Sequence, residues 1–285
     1  MSSISAANSN SQDTHREVRS APLQALRSSE LVSARMERFI LGEKFYFDPK
    51  SGRAFLDELS RLSASPLPDR EVYTNLASFY RSLPESAASD KKYHERRLEQ
   101  RVVQVTSVLG EYRPTSFVDV GCGDGNLTRA MARSWGLSPD AAIGVELFLR
   151  PDTTFSDVTL VPFDGKRLPF PDGSQEFVTL FMVLHHAQDP QELINEISRV
   201  LRPGGRVLVR DHDTASQDEG LFFELTDRLF YSVFHQYPDI PIPGNYLSHS
   251  AWSAAFEKAG FASEKVASLE PESAFSPFFA LYSKR

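Results

Sequence analysis

The chain has 285 residues, 41% of them hydrophobic and 24% charged, enough to bury one large core with an accessory part. No apolar run approaches the roughly 18 residues that a bilayer span requires, so a soluble protein is expected. The formal net charge of −7 argues against a broad electrostatic grip on nucleic acid, and the single cysteine excludes an internal disulfide and fits a reducing, cytoplasmic compartment.

Residues 1–25, rich in Ser, Asn and Gln without apolar periodicity, are expected to form a disordered tail. A helical pattern follows over 26–112. Leu31, Met36, Phe39 and Ile40 mark one helix, and Phe55, Leu56, Leu59 and Leu62 a second. Ser63 to Pro68 reads as a linker. A third helix is predicted from Val72 to Leu83, stopped by Pro84, and a fourth from Ser89 or Asp90 through Leu98, Val102, Val105 and Leu109. On this last helix Lys91, Lys92, His94, Arg96, Arg97 and Arg101 interleave with Glu95 and Glu99 at helical spacing. That pattern suits a solvated, salt-bridged face better than an RNA-contacting patch.

The pattern then changes to alternating strands and helices, as a parallel sheet requires. Phe117 to Val120 reads as a buried strand that breaks into Gly121, Gly123 and Gly125, with Leu127, Ala130 and Met131 at helical spacing behind them. Glycine in such a strand-to-helix turn lets backbone N–H groups and a helix N-terminus come into contact with a ligand. The next apolar run, Ala141 to Val145, closes on Glu146. That acid lies 21 residues past Gly125, about where nucleotide-binding units place a carboxylate for two ribose hydroxyls. Loop and acid together point to an adenosine-containing ligand. The glycines are closer together than in the dinucleotide pattern, and Asp119 and Asp124 would repel a pyrophosphate, so a ligand with a cationic centre fits better. Cys122 reads as a small side chain filling the turn, since no basic partner is implied beside it.

Val158 to Phe163 is a third strand, ending at Asp164-Gly165, and the apolar stretch Phe177 to Leu184 a fourth, central one. A helix capped by Asp189, with Pro190 and Glu192 in its first turn, carries Leu193, Ile194, Ile197, Val200 and Leu201 inward and stops at Pro203-Gly204-Gly205. Val207 to Val209 is a fifth strand. An insertion over 213–249 brings a strongly apolar helix (Phe222, Leu225, Leu229, Val233) and a stiff extended loop from Tyr237 to Gly244. A helix over 251–260 and strands from Phe261 to Val266 and Phe278 to Tyr282 complete the chain.

Four ordered motifs, VDVGCGDGN (118–126), IGVEL (143–147), FDGKRLPFPDGSQEF (163–177) and RVLRPGGRVLV (199–209), resemble those of the class I S-adenosylmethionine-dependent methyltransferases. The resemblance covers about residues 113–285. It implies an α/β fold: a doubly wound, mostly parallel seven-stranded sheet of Rossmann-like type, preceded by a helical cap and carrying 213–249 as a lid. It further implies that Gly121, Gly123 and Asn126 line the methionine part of the cofactor, with Asp119 near its cationic amino group. Glu146 would hold the ribose hydroxyls, Leu147 or Phe148 pack on the adenine, and Asp164 accept from its exocyclic amine. Cys122, Asp124, Gly165 and Met182 complete the expected cofactor contacts.

Three of the seven histidines fall at the ends of strands four and five: His185, His186 and His212. Methyl transfer from a sulfonium needs a positioned nucleophile and, for a hydroxyl, a base. The expected pair is His186 with Asp211, with His185 and His212 as substitutes. No metal is expected, because strand alternation would send His185 and His186 apart. The function read from the chain is methyl transfer to a small, apolar or aromatic acceptor, at oxygen. The alternatives are an RNA (including cap) methyltransferase and a non-catalytic cofactor-binding subunit. The expected partner is a small-molecule acceptor, with a homodimer as a second expectation and nucleic acid not expected.

Overall fold

A computed structural model of the chain describes residues 20–42, 47–84, 91–149, 155–237 and 242–285. Its frame is a seven-stranded sheet in the order β3-β2-β1-β4-β5-β7-β6. The strands are β1 (Phe117–Val120), β2 (Ala142–Glu146), β3 (Thr159–Pro162), β4 (Gln175–Phe181), β5 (Leu201–Asp211), β6 (Phe261–Ser268) and β7 (Phe278–Lys284). The first five run parallel, and β7 inserts antiparallel between β5 and β6. The order reverses between β1 and β4, so both strands open into one crevice at their carboxyl ends, where ligands of such sheets bind.

The four main sheet helices follow from simple signals. α5 (Lys91–Leu109) and α6 (Asn126–Trp135) lie against one face, where Val105, Val108 and Met131 join Phe117, Phe177 and Leu208. On the other face, α7 (Pro190–Val200) and α9 (His249–Lys258) bring Leu193, Ile197, Trp252 and Phe256 onto Val118, Val178 and Val207. The Asp189 carboxylate accepts from the Glu192 amide at 2.9 Å, the expected N-cap. Pro203-Gly204-Gly205 does not end α7. The chain enters β5 already at Leu201, and a register shift between Gln175 and Phe177 on β4 absorbs the glycines.

Before the sheet come α1 (Ala21–Ser28), α2 (Glu30–Gly42), α3 (Pro49–Ser63) and α4 (Asp69–Ser82). The expected tail is therefore too long. Residues 1–19 lie outside the described part, but Leu23 on α1 is fully buried, and an ordered amphipathic turn begins at Ala21. The proposed start of the fourth predicted helix at Ser89 or Asp90 also lies outside the described residues. That helix, α5, packs on the sheet, so the cap consists of α1–α4 alone. The cap shares its core with the lid: Phe39, Phe55 and Leu76 pack with Phe222, Phe223, Leu229 and Val233. The lid begins as α8 (Gln217–Arg228), capped by Ser216, and widens into a π-turn, Leu229–Phe234. A π-turn inside a helix usually marks a functional position. Arg35 on α2 reaches Glu219 on α8 at 2.5 Å, fastening cap to lid.

Candidate active site

The glycine loop is shaped by what surrounds it. Gly121 has φ +70°, and a Cβ there would come within 2.5 Å of the Val183 side chain. Gly123 has φ +57°, and nothing lies within 4 Å of where its Cβ would be, so its missing side chain leaves open space for a ligand. The Gly123 amide donates to Glu146 Oε2 at 2.7 Å, which brings the expected ribose carboxylate against the loop. Asp124 accepts from the Asn126 amide at 3.0 Å and from its side-chain nitrogen at 2.7 Å. Cys122 is buried, and burial together with Asp119 pushes its thiol far up, so it remains an inert filler. A Cβ at Gly144 would stand 2.7 Å from its sulfur, so the β2 glycine is what makes room for it.

Leu147 and Phe148 stand out at the end of β2, 49% and 68% exposed, and Leu147 lies beside Gly165. Asp164 Oδ1 accepts from the amides of Lys166 and Arg167, both at 2.8 Å, so this oxygen, expected to meet the adenine, builds the turn after β3. Asp119 departs from expectation. It is 2% exposed, and its oxygens accept from Thr128 on α6 at 2.6 Å and Thr179 on β4 at 2.7 Å. It braces the loop from behind instead of facing the ligand. Burial pushes its carboxyl up to about 6 against the pull of those two hydroxyls.

Strand β4 ends at Phe181, three residues early. Met182 turns with φ +61°, its amide bonded to the Arg210 carbonyl at 2.8 Å, and Leu184–His186 forms a 3₁₀ turn. A side chain held at positive φ is strained, and such strain gathers at functional positions. Alternation therefore does not apply to His185 and His186, whose ring centroids lie 3.9 Å apart. The reason for expecting no metal fails here. His212, after β5, lies 4.6 Å from His185 and stacks on Phe223.

The expected His186–Asp211 pair is replaced by His185 with Asp211, Nδ1 to Oδ1 at 2.6 Å. Asp211 also accepts from the Leu184 amide at 3.0 Å and the His212 amide at 2.8 Å, so one carboxylate ties the two strand ends together. Burial pushes Asp211 up, but His185 outweighs it and holds the carboxyl down at about 2. Burial favours a neutral His185, but Asp211 overrides it and keeps its pKa above the ordinary value. Burial and the neighbouring His185 lower His186 to about 3, so its ring is neutral and a weak base. It touches Tyr231 at 3.5 Å instead.

Two residues that sequence reasoning missed complete the cluster. Asp227 on α8 lies 3.7 Å from His185 Nε2 and accepts from the Tyr246 hydroxyl at 2.6 Å. An acid one turn from Phe223 and Tyr231, on an otherwise apolar helix face, was the available signal. Asn245 bonds the carbonyls of His185 and Ala187, pinning the lid onto the 3₁₀ turn. These groups floor a cleft of about 780 Å³ that reaches Asp124, Asn126 and Met182 on the cofactor side and Phe39, Phe230, Tyr231 and Phe275 on the cap and lid side. His94, Arg97 and Arg101 of α5 also line it. The basic helix is therefore not wholly a solvated face: Arg101 pairs with Glu270, which also holds the buried Arg210 at 3.0 Å.

A methyltransferase-domain family model matches residues 69–266. The chain belongs to that family. It is 28% identical over 140 residues to a rice (Oryza sativa subsp. japonica) protein named probable tocopherol O-methyltransferase, chloroplastic, a match covering 46% of this chain and 39% of the rice protein. It is 26% identical over 183 residues to the demethylmenaquinone methyltransferase of Staphylococcus aureus strain JH9, covering 58% of this chain and 76% of that protein. Its fold is that of a Haloferax volcanii chain solved in complex with the Trm112 methyltransferase activator (TM-score 0.53, 19% identity, 69% of this chain and 95% of that one). A geranyl diphosphate methyltransferase solved with GPP and sinefungin is similar as well (TM-score 0.50, 15% identity, 67% and 83%). The methyltransferase is thus an enzyme of the class I, S-adenosylmethionine-dependent type. The open space at Gly123, Glu146 beside it and the exposed Leu147 next to Gly165 fit that cofactor in the order methionine, ribose, adenine. Among the described residues, no helix is long and apolar enough to cross a membrane.

Proposed function

We propose that the enzyme methylates a small, largely apolar, ring-bearing acceptor at oxygen. The observation that carries this reading is the cleft beside Asn126 and Met182, in which Phe39, Phe230, Tyr231 and Phe275 stand with the polar His185, His186, His212 and Asp227 and the basic Arg97 and Arg101. S-adenosylmethionine supplies an electrophilic methyl group on a positively charged sulfur. The chain's task is to place the nucleophile in line, exclude water and dispose of a proton. Phe39, Phe230, Tyr231 and Phe275 suit the body of an apolar acceptor, and His185, His212 and Asp227 suit its polar end. The names of the rice and bacterial relatives, which refer to a tocopherol and a demethylmenaquinone, support an acceptor of that type.

An RNA acceptor is less well supported, because Arg101 is committed to Glu270 and Phe39 of the cap and Phe230 and Tyr231 of the lid line the cleft with apolar surface. The test is transfer of labelled methyl to a panel of phenols, quinols and prenylated rings, run beside structured RNA. Saturable transfer to an apolar hydroxyl compound, insensitive to salt, is expected. Transfer to RNA with a steep salt dependence overturns the reading.

A further inference from the structure

We propose that His185, His212 and Asp227 form a binding site for one divalent transition-metal ion at the floor of the cleft. One ligand atom from each of the three lies within 4.8 Å of the others, and His185 Nε2 is 3.7 Å from Asp227 Oδ2. His186 Nε2 stands 4.0 Å from the same oxygen, close enough for a fourth ligand. Ligand atoms around a first-row ion lie somewhat over 3 Å apart, given metal–ligand distances of about 2.0–2.2 Å, so the cluster needs only a small contraction. Two or three imidazoles with one carboxylate suit zinc, iron, cobalt or nickel better than magnesium or calcium.

Two independent features call for a cation there. His185 is held through Nδ1 by Asp211 at 2.6 Å, and its Nε2 stands 3.7 Å from Asp227 Oδ2, too far for a hydrogen bond and with room for an ion between them. His212 Nδ1 is also sealed from solvent with no hydrogen-bond partner among the described residues. The supporting groups match those of histidine metal sites, in which the far ring nitrogen is oriented by a carboxylate: Asp211 holds His185, and Tyr246 holds Asp227.

The site deepens the proposed O-methylation and rests on it for its role. An acceptor hydroxyl on the open coordination position gives up its proton more readily. That proton leaves to solvent through the mouth of the cleft. The freed oxygen pair forms the O–CH₃ bond as the S–CH₃ pair returns to sulfur, releasing S-adenosylhomocysteine.

The test is direct binding to the full chain after chelator treatment, with zinc and cobalt as probes and no acceptor present. One ion per chain is expected by calorimetry and elemental analysis, with a visible cobalt spectrum of nitrogen and oxygen ligation. His212→Ala and Asp227→Asn abolish stoichiometric binding, Asp211→Asn weakens it roughly 10–100-fold, and His249→Ala, on the surface, leaves it unchanged. Retained S-adenosylmethionine affinity shows that each variant is folded. Absence of a stoichiometric ion in the wild type, or binding that survives both His212→Ala and Asp227→Asn, overturns the site. Either outcome leaves methyl transfer itself standing. An ion bound as expected without turnover of any apolar hydroxyl compound would instead count against the proposed function alone.

Discussion

Asp119 and Glu146 sit 27 residues apart on neighbouring strands, one buried behind the glycine loop and the other bonded to its face. Glu146 meets the loop at the cleft, so Glu146→Ala is expected to weaken S-adenosylmethionine binding by about 1–3 kcal/mol, read by calorimetry. Asp119 is buried, and its effect is on stability. Its folded pKa, about 6, is above that of an unfolded aspartate. The folded state therefore holds the proton more tightly, and the stability this contributes is complete below about pH 4 and lost as pH rises through about 6. The separation corresponds to about 3 kcal/mol. Asp119→Asn keeps the contacts with Thr128 and Thr179 without the charge. Its melting temperature relative to wild type is expected to rise between pH 4.5 and pH 7.5. A difference independent of pH would show that Asp119 is ionised in the fold at no cost.

At the scale of elements, the sheet was legible because apolar runs and capping signals are local, and the Asp189 cap and the glycine loop fell where the sequence put them. The ends of strands were not legible. Nothing in Phe181-Met182-Val183-Leu184 says that an apolar run leaves the sheet at Met182. What decides it is the backbone bond to Arg210 on the neighbouring strand, a non-local contact. The error passed to the site, because a strand ending at Leu184 would separate two histidines that a 3₁₀ turn brings together. Asp227 and Tyr246 were missed for the same reason: their meaning comes from the lid folding back over β4. The lid depends in turn on the cap. Phe222 is fully buried between them, and Phe222→Ala is expected to cost about 3–5 kcal/mol in chemical denaturation while S-adenosylmethionine affinity stays within a few-fold.

The whole molecule has its sheet cores and a separate cap–lid core, and the two meet at the acceptor cleft. In the proposed reading the cofactor is held by the loop at the carboxyl end of β1, an interior strand, whereas the acceptor cleft is lined by residues from distant stretches of chain. Removing residues 1–83 is therefore expected to leave the apolar inner face of α8 and the π-turn bare. The truncated protein would self-associate in sedimentation or light scattering, and any monomer that remains would still bind the cofactor. Clean monomeric behaviour with full acceptor turnover would show that the lid closes without the cap.

The shared core also sets a schedule for synthesis. The cap helices end at Ser82, and the lid helix that covers them begins at Gln217, roughly 135 residues later. At about 5–20 residues per second, a ribosome needs roughly 7–27 s to supply the covering segment. During that interval Phe39, Phe55 and Leu76 are outside the tunnel with their partners not yet made. The cap is thus made well before the segment that finishes its core, and a holdase on the nascent chain would find its target there.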